Sequence, residues 1–301
     1  MTALASKVII ARKVIIVGHS ERPEAPVVAR QAVEWLRNHG HMPVAQAVDI
    51  ESLGLDVDLC TETDIASAEL VLSIGGDGTM LRSVTMLNGA AVPVLGINVG
   101  LLGYLAEVEP ENLVPSLERF FAGDYEIEKR LVIDVDVVKN NGSRSQWRAL
   151  NEASFEKERT GQTVRLAVSI DGARFTTFQA DGLLVATPTG STAYSLSARG
   201  PVVSPTLEAM LLTPLAPHML FDRSLVLGPT ETIRIDVDGS RAVGLAIDGQ
   251  EVASLEGGES VTCSASDRPA LFVLMQPQRF HQILKAKFGL ADRKVLVAVS
   301  C

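Results

Sequence analysis

The pentapeptide Gly75-Gly76-Asp77-Gly78-Thr79 constrains this chain more than any other stretch, because of what flanks it. Before it lies Leu70-Val-Leu-Ser-Ile74, a short continuous apolar run of the kind that forms a strand buried on both faces. After it, residues 79–87 read as a helix stopped at Asn88-Gly89. A strand that turns through glycines straight into a helix is the building unit of parallel, helix-covered sheets. Ligands of such sheets bind beyond the carboxyl ends of the strands. Buried runs at 13–18 and 92–97 extend the pattern. So does an amphipathic stretch at 25–39, with Val28, Ala32, Trp35 and Leu36 near one face and Gly40 as its stop.

After about residue 124 the texture changes. Partly alternating or β-rich runs at 131–138, 164–170, 233–237, 243–247 and 271–275 are separated by Asn140-Asn-Gly142, Asp171-Gly172, Asp238-Gly239 and Asp248-Gly249 turns. The expected architecture is an α/β N-terminal domain with a parallel sheet (1–123) and a β-rich, mostly antiparallel C-terminal domain (124–278). The 279–301 segment, helical at 279–288, is a candidate to pack back on the first domain.

Composition excludes several classes. Lys plus Arg number 27 against 36 Asp plus Glu, a formal charge of −9, which argues against a nonspecific nucleic-acid binder. Cys60, Cys263 and Cys301 are far apart and odd in number, so neither a disulfide framework nor a zinc site is expected, and a reducing cytoplasm is the default location. Residues 83–106 carry no charge and are long enough to span a bilayer, but Gly89, Pro93, Gly96, Gly100 and Gly103 break them up; they read as buried elements joined by turns. Residues 49–69 hold seven acidic residues and no Lys or Arg, and are expected to form a solvated face.

Three segments carry the chemistry. In the first, the glycines allow positive φ and let phosphates approach the backbone, while the following helix aims amide donors at the same place. It is neither a Walker A loop, lacking Gly-Lys-Ser/Thr, nor a full dinucleotide fingerprint, since Leu81 stands where the third glycine belongs. Asp77 has two readings: a general base for a hydroxyl nucleophile, or a helix cap. In the second, Asp181-Gly182 leads through a buried strand to residues 187–197, seven of which bear hydroxyls. Such density suits a nucleoside's ribose and base edges, or else local turns and a cap at Ser191. The third, Asn151-Glu152, is either a ligand-facing pair or an exposed strand position. His218 and His281 read as structural, and hairpin chemistry alone explains Gln250.

Together these segments resemble the NAD kinase family. The loop at 75–79 matches its Gly-Gly-Asp-Gly-Thr. Gly96-Ile-Asn-Val-Gly100-Leu-Leu-Gly-Tyr-Leu105 is similar to a second family segment, with Tyr104 for the usual Phe. Asn151-Glu152 matches an Asn-Glu pair, and residues 187–198 a Thr-Pro-Thr-Gly-Ser-Thr-Ala-Tyr-Ser-Leu-Ser-Ala signature. The resemblance implies transfer of the γ-phosphoryl of ATP, or of polyphosphate, to the 2′-hydroxyl of the adenosine ribose of NAD, with Asp77 as proton acceptor. It implies that Gly75, Gly76, Gly78 and Thr79 hold phosphates, with Arg82 near them. Asn151, Glu152 and Asp181 would contact the nicotinamide nucleotide and the riboses. Thr192, Ala193, Tyr194, Ser195, Leu196 and Ser197 would surround the adenosine and nicotinamide ends, and Gln179 and Gln250 would line the rim. Mg²⁺ would enter with the triphosphate and needs no dedicated protein ligand. A homodimer or homotetramer is implied, without nucleic-acid or membrane partners. One departure is Arg199, where the family usually has Gly.

Three alternatives fit parts of the pattern. Lipid and sugar kinases share the Gly-Gly-Asp-Gly loop, but those lipid kinases place Asn-Glu almost directly after it, whereas Met80-Leu81-Arg82 follows here. A non-catalytic NAD sensor should have lost Asp77. An NAD-dependent oxidoreductase should carry the full fingerprint and an acid/base partner.

Overall fold

A computed structural model describes residues 11–100, 103–276 and 280–290. Leu101, Leu102, Arg279 and Cys301 lie outside the described residues. The first unit runs β1 (Lys13–Gly18), α1 (Ala25–Asn38), β2 (Met42–Ala45), α2 (Ala47–Leu53), β3 (Asp58–Leu59), α3 (Glu62–Ser67), β4 (Leu70–Gly75), α4 (Asp77–Leu87), β5 (Val94–Asn98) and α5 (Leu113–Ala122). Its strands are parallel, as their unbroken apolar runs require. Because side chains alternate across a strand, Val14 and Ile16 of β1 pack with α1 and α5, while Ile15 and Val17 pack with Met80 and Leu87 of α4. The sheet is thus buried on both faces.

The rest of the chain runs β6 (Glu126–Arg130), β7 (Ile133–Val138), β8 (Arg144–Ala149), β9 (Glu152–Lys157), β10 (Val164–Ile170), β11 (Ala173–Ala180), β12 (Gly182–Ala186), α6 (Tyr194–Ser197), β13 (Met210–Leu215) and β14 (Leu225–Leu227). It continues β15 (Thr232–Val237), β16 (Val243–Ile247), β17 (Gln250–Leu255), β18 (Ser260–Ala265), β19 (Ala270–Leu274) and α7 (Phe280–Lys287). Two antiparallel sheets, ordered β11-β10-β15-β18-β7-β8 and β14-β13-β12-β9-β16-β17, pack face to face over a core that includes Phe155, Phe178, Val185 and Ile235.

Two strands cross the boundary drawn at residue 124. The first sheet is ordered β3-β2-β1-β4-β5-β19-β6, so the run at 271–275 belongs to it and not to the antiparallel domain. β19 lies parallel to β5 and antiparallel to β6. Local pattern cannot reveal this, because a five-residue apolar strand looks the same in either sheet. Among the described residues no helix is long and apolar enough to cross a membrane, and the described part of the uncharged 83–106 stretch is divided between α4, β5 and loops.

Candidate active site

β4 delivers the Gly-rich turn to the carboxyl edge of the first sheet, and α4 begins at once. The glycines are not required for positive φ, since none of Gly75, Gly76 and Gly78 adopts it. They are required for room. A Cβ on Gly75 would lie 2.0 Å from Thr79 Oγ1, whereas Cβ atoms on Gly76 and Gly78 would project into open space. That space belongs to a cleft of about 630 Å³ lined by Gly76, Asp77, Gly78, Thr79 and Arg82.

Asp77 is not a helix cap. The cap residue is Gly76, in extended backbone, and Asp77 is the first residue of α4. Its carboxylate accepts from the Tyr104 N–H at 2.9 Å on both oxygens, and Oδ1 also accepts from the Leu105 N–H at 2.9 Å. Gly103 makes this approach possible, since a Cβ there would lie 2.2 Å from Oδ1. The loop after β5 is tied back by the Val99 N–H donating to the Gly75 carbonyl (3.2 Å).

Arg82 lines the cleft, but its guanidinium is spoken for. It donates to both oxygens of the fully buried Asp49 (2.6 and 3.3 Å) and to the Gly18 carbonyl, and Asp49 also accepts from the Gly18 N–H at 2.9 Å. Asp49 therefore departs from the solvated face expected of residues 49–69: it locks α2 to α4 and β1. Gly100 and Gly103, from the Gly96–Leu105 segment, also line the cleft, as do His19, Ser20, Arg22, Ser52 and Lys287, which no sequence reading had placed in the site.

The second cluster is built around Asp248, which sits at φ 48° in the turn between β16 and β17. Its carboxylate accepts from the backbone N–H groups of Leu150 (2.9 Å), Asn151 (2.7 Å) and Glu152 (3.1 Å). The Asn151 carbonyl in turn accepts from the Thr187 N–H (2.8 Å), and the Thr187 hydroxyl donates to the Leu150 carbonyl (2.5 Å). So the Asn-Glu pair and the Thr-Pro-Thr-Gly turn, distant in sequence, form one body. Glu152 is buried rather than exposed on its strand, and its Oε2 has no hydrogen-bond partner among the described residues. Burial first, and the Asp248 charge second, push its pKa up to about 7.

Much of the hydroxyl density braces this turn. Ser191 does not cap a helix: it exchanges hydrogen bonds with the Val203 backbone (3.0 and 3.2 Å). Ser195 is buried against Thr213 (3.4 Å), so its side chain supports the turn rather than facing a ligand. Thr192 bonds the Thr189 carbonyl (3.3 Å), the Ala193 N–H bonds Gly190 (2.9 Å), and Leu196 and Ser197 complete the single turn of α6. Tyr194 is exposed and donates to Glu156 (2.9 Å); partial desolvation and that carboxylate push its phenol up to about 12. Asp181 pairs with Lys157 at 2.6 Å and contributes to the field at Tyr194. Gln179 donates to Thr163 (3.3 Å), and Gln250 is exposed at the start of β17; neither lines the cleft around Asp77. Arg199 is exposed with φ 64°, a left-handed backbone that suits the glycine usual there.

Arg130, which no sequence signal marked, joins the two clusters. It is buried, pairs with Glu128, donates to Thr189 Oγ1 (3.3 Å) and stands 5.5 Å over the Phe272 ring. Burial lowers its pKa against the opposing charges of Glu128 and Asp77. Among the described residues no three His, Cys, Asp or Glu side chains gather as a metal site.

A cleft lined by a Gly-rich turn at the carboxyl edge of a parallel sheet, with a positioned carboxylate and a polar cluster from an antiparallel unit beside it, is the layout of a nucleotide-handling phosphotransferase class. Residues 14–125 match the family model for the ATP-NAD kinase N-terminal domain, and residues 150–275 that for the ATP-NAD kinase C-terminal domain. The chain belongs to the NAD kinase family. It is 36% identical to an NAD kinase from Moorella thermoacetica, over 92% of this chain and 89% of that one. It is 33% identical to one from Syntrophotalea carbinolica, over 94% of this chain and the whole of that one. Among solved structures it superposes on yeast NADH kinase complexed with NADH (TM-score 0.88, 25% identity, 95% of this chain and 90% of that one). It shares its fold with an Archaeoglobus fulgidus NAD kinase in complex with ATP (TM-score 0.71, 24% identity, 93% of this chain and 100% of that one).

Proposed function

We propose that this protein is an NAD kinase, transferring the γ-phosphoryl of ATP to the 2′-hydroxyl of the adenosine ribose of NAD to give NADP. The observation that carries the reading is the Asp77 carboxylate, held by the Tyr104 and Leu105 amides on the wall of the phosphate cleft. Oδ1 takes two of the three N–H bonds and Oδ2 one, so Oδ2 keeps the freer lone pair for a substrate proton. The 2′-oxygen bonds to the γ-phosphorus while the bond from that phosphorus to the β,γ-bridging oxygen breaks. The hydroxyl proton passes to Asp77 Oδ2, and ADP leaves with the electron pair. Gly76, Gly78 and Thr79 offer the backbone and the N-terminal end of α4 to the phosphates. Mg²⁺ arrives as part of the ATP complex.

In this reading Asn151, Glu152, Asp181 and Tyr194 receive the dinucleotide, and Arg130 couples that cluster to the phosphate side. The domain division follows: phosphate handling in the first unit, dinucleotide binding in the second. Homo-oligomerisation is checked by light scattering on a sizing column.

The test is NADP formation from NAD with Mg²⁺-ATP, read through an NADP-specific dehydrogenase, with polyphosphate as donor and NADH as acceptor in parallel. Asp77→Asn should lower turnover by roughly two to four orders of magnitude while leaving NAD affinity within several-fold. Near-normal turnover in that variant sinks the base assignment. Folded protein that binds NAD but makes no product would be a sensor.

A further inference from the structure

The cleft has a cation that neither the Gly-rich turn nor the polar cluster supplies. Lys287, in the last turn of α7, lines the same cleft as Gly76, Asp77 and Gly78, although more than two hundred residues separate them in the chain. Its Nζ stands 4.0 Å from the centroid of the Tyr104 ring, and Tyr104 is the residue whose amide holds Asp77. α7 has no buried residue; Gln282 and Ile283 line a second cleft that shares Gly103 with the first. The helix therefore lies over the Gly103-Tyr104 loop between two openings, docked on the surface rather than anchored in the core.

Lys287 shares the cleft with two arginines, Arg22, which stands beside Gly100, and Arg82. Arg82 spends its donors on Asp49 and the Gly18 carbonyl. Among the described residues Lys287 has no carboxylate partner; its ammonium rests against the Tyr104 ring. An ammonium–ring contact is weaker than a charge-assisted hydrogen bond to phosphate, so the ammonium can exchange one for the other. A lysine is a compact point charge on a flexible stem, suited to a phosphate chain without fixed planar geometry. On a chain of net charge −9, an anionic donor depends on such local cations.

We propose that Lys287 is a ligand of the donor's phosphate chain, carried over the Gly76–Thr79 turn by the C-terminal helix. The inference rests on the kinase reading for its substrate, but its first test does not. Binding of inorganic tripolyphosphate to the full-length protein, measured by calorimetry without NAD, should weaken roughly tenfold in Lys287→Gln and largely recover in Lys287→Arg, as loss and return of one charge-assisted contact require. In turnover assays KM for Mg²⁺-ATP should rise by a similar factor while KM for NAD stays within about twofold. Unchanged tripolyphosphate binding in a Lys287→Gln protein with wild-type melting overturns the proposal. Equal weakening toward ATP and NAD overturns it too, marking a structural role. Weakened tripolyphosphate binding alongside a wild type that makes no NADP sinks the kinase reading and leaves the phosphate contact standing.

Discussion

Asp77 and Glu152 are both acidic, yet their surroundings prepare them for different work. Asp77 is held by three amide contacts at the cleft wall, and the fit depends on the bare Cα of Gly103. Gly103→Ala should push the carboxylate off its amides and lower kcat roughly a hundredfold with little change in KM for NAD, as steady-state kinetics would register. Glu152 is buried with an unpartnered oxygen beside Asp248, and its pKa of about 7 stands above the ordinary 4.5. A raised folded-state pKa means the folded form binds the proton more tightly. The associated stability is complete below pH 4.5, falls as pH rises toward 7, and is gone above it, a loss of about 3 kcal/mol at most. Glu152→Gln removes that dependence. In the ligand-free protein its melting temperature should match wild type near pH 4.5 and exceed it increasingly up to about pH 7. A constant difference across that range would refute the assignment.

At the scale of elements, the ion pair between Asp49 of α2 and Arg82 of α4 fixes how two helices meet the carboxyl edge of the sheet. Asp49 is fully buried and Arg82 partly so, and the pair also satisfies both backbone groups of Gly18. Asp49→Ala strands the guanidinium and should cost roughly 2–4 kcal/mol by denaturant unfolding. The strongly periodic elements were legible: β1 and α1 stand where 13–18 and 25–39 placed them, and α4 begins only two residues earlier than expected, whereas short elements such as β2, β3, α2 and α3 carried no pattern that was read. Partners were not legible. Seven acidic residues in a row of twenty-one look alike until one of them finds Arg82. The hydroxyls at 187–197 divide between bracing and facing outward according to contacts with Leu150, Val203 and Thr213, all outside that segment.

For the whole molecule, the decisive feature is the return of the chain to its first sheet. β19 inserts between β5 and β6, so the N-terminal unit is completed by strands from beyond its own family segment. A fragment ending at residue 125 keeps β1–β5 but leaves the apolar edge of β5 unpaired. It should aggregate or melt without cooperativity, as scattering and circular dichroism would report, whereas the full chain melts cooperatively. A soluble, cooperatively folding fragment would show that β19 and β6 are dispensable.

The sequence by itself determined the periodic elements, the parallel-then-antiparallel order and the Gly-Gly-Asp-Gly-Thr turn, because each depends on neighbours within a few residues. Only the tertiary structure decided that Gly103 makes room for Asp77, that Asp248 gathers the Asn-Glu pair, that Arg130 bridges the clusters, and that Lys287 lines the cleft of the Gly-rich turn. Those are contacts between groups tens to hundreds of residues apart, and their strength comes from burial and charge, which no local pattern encodes.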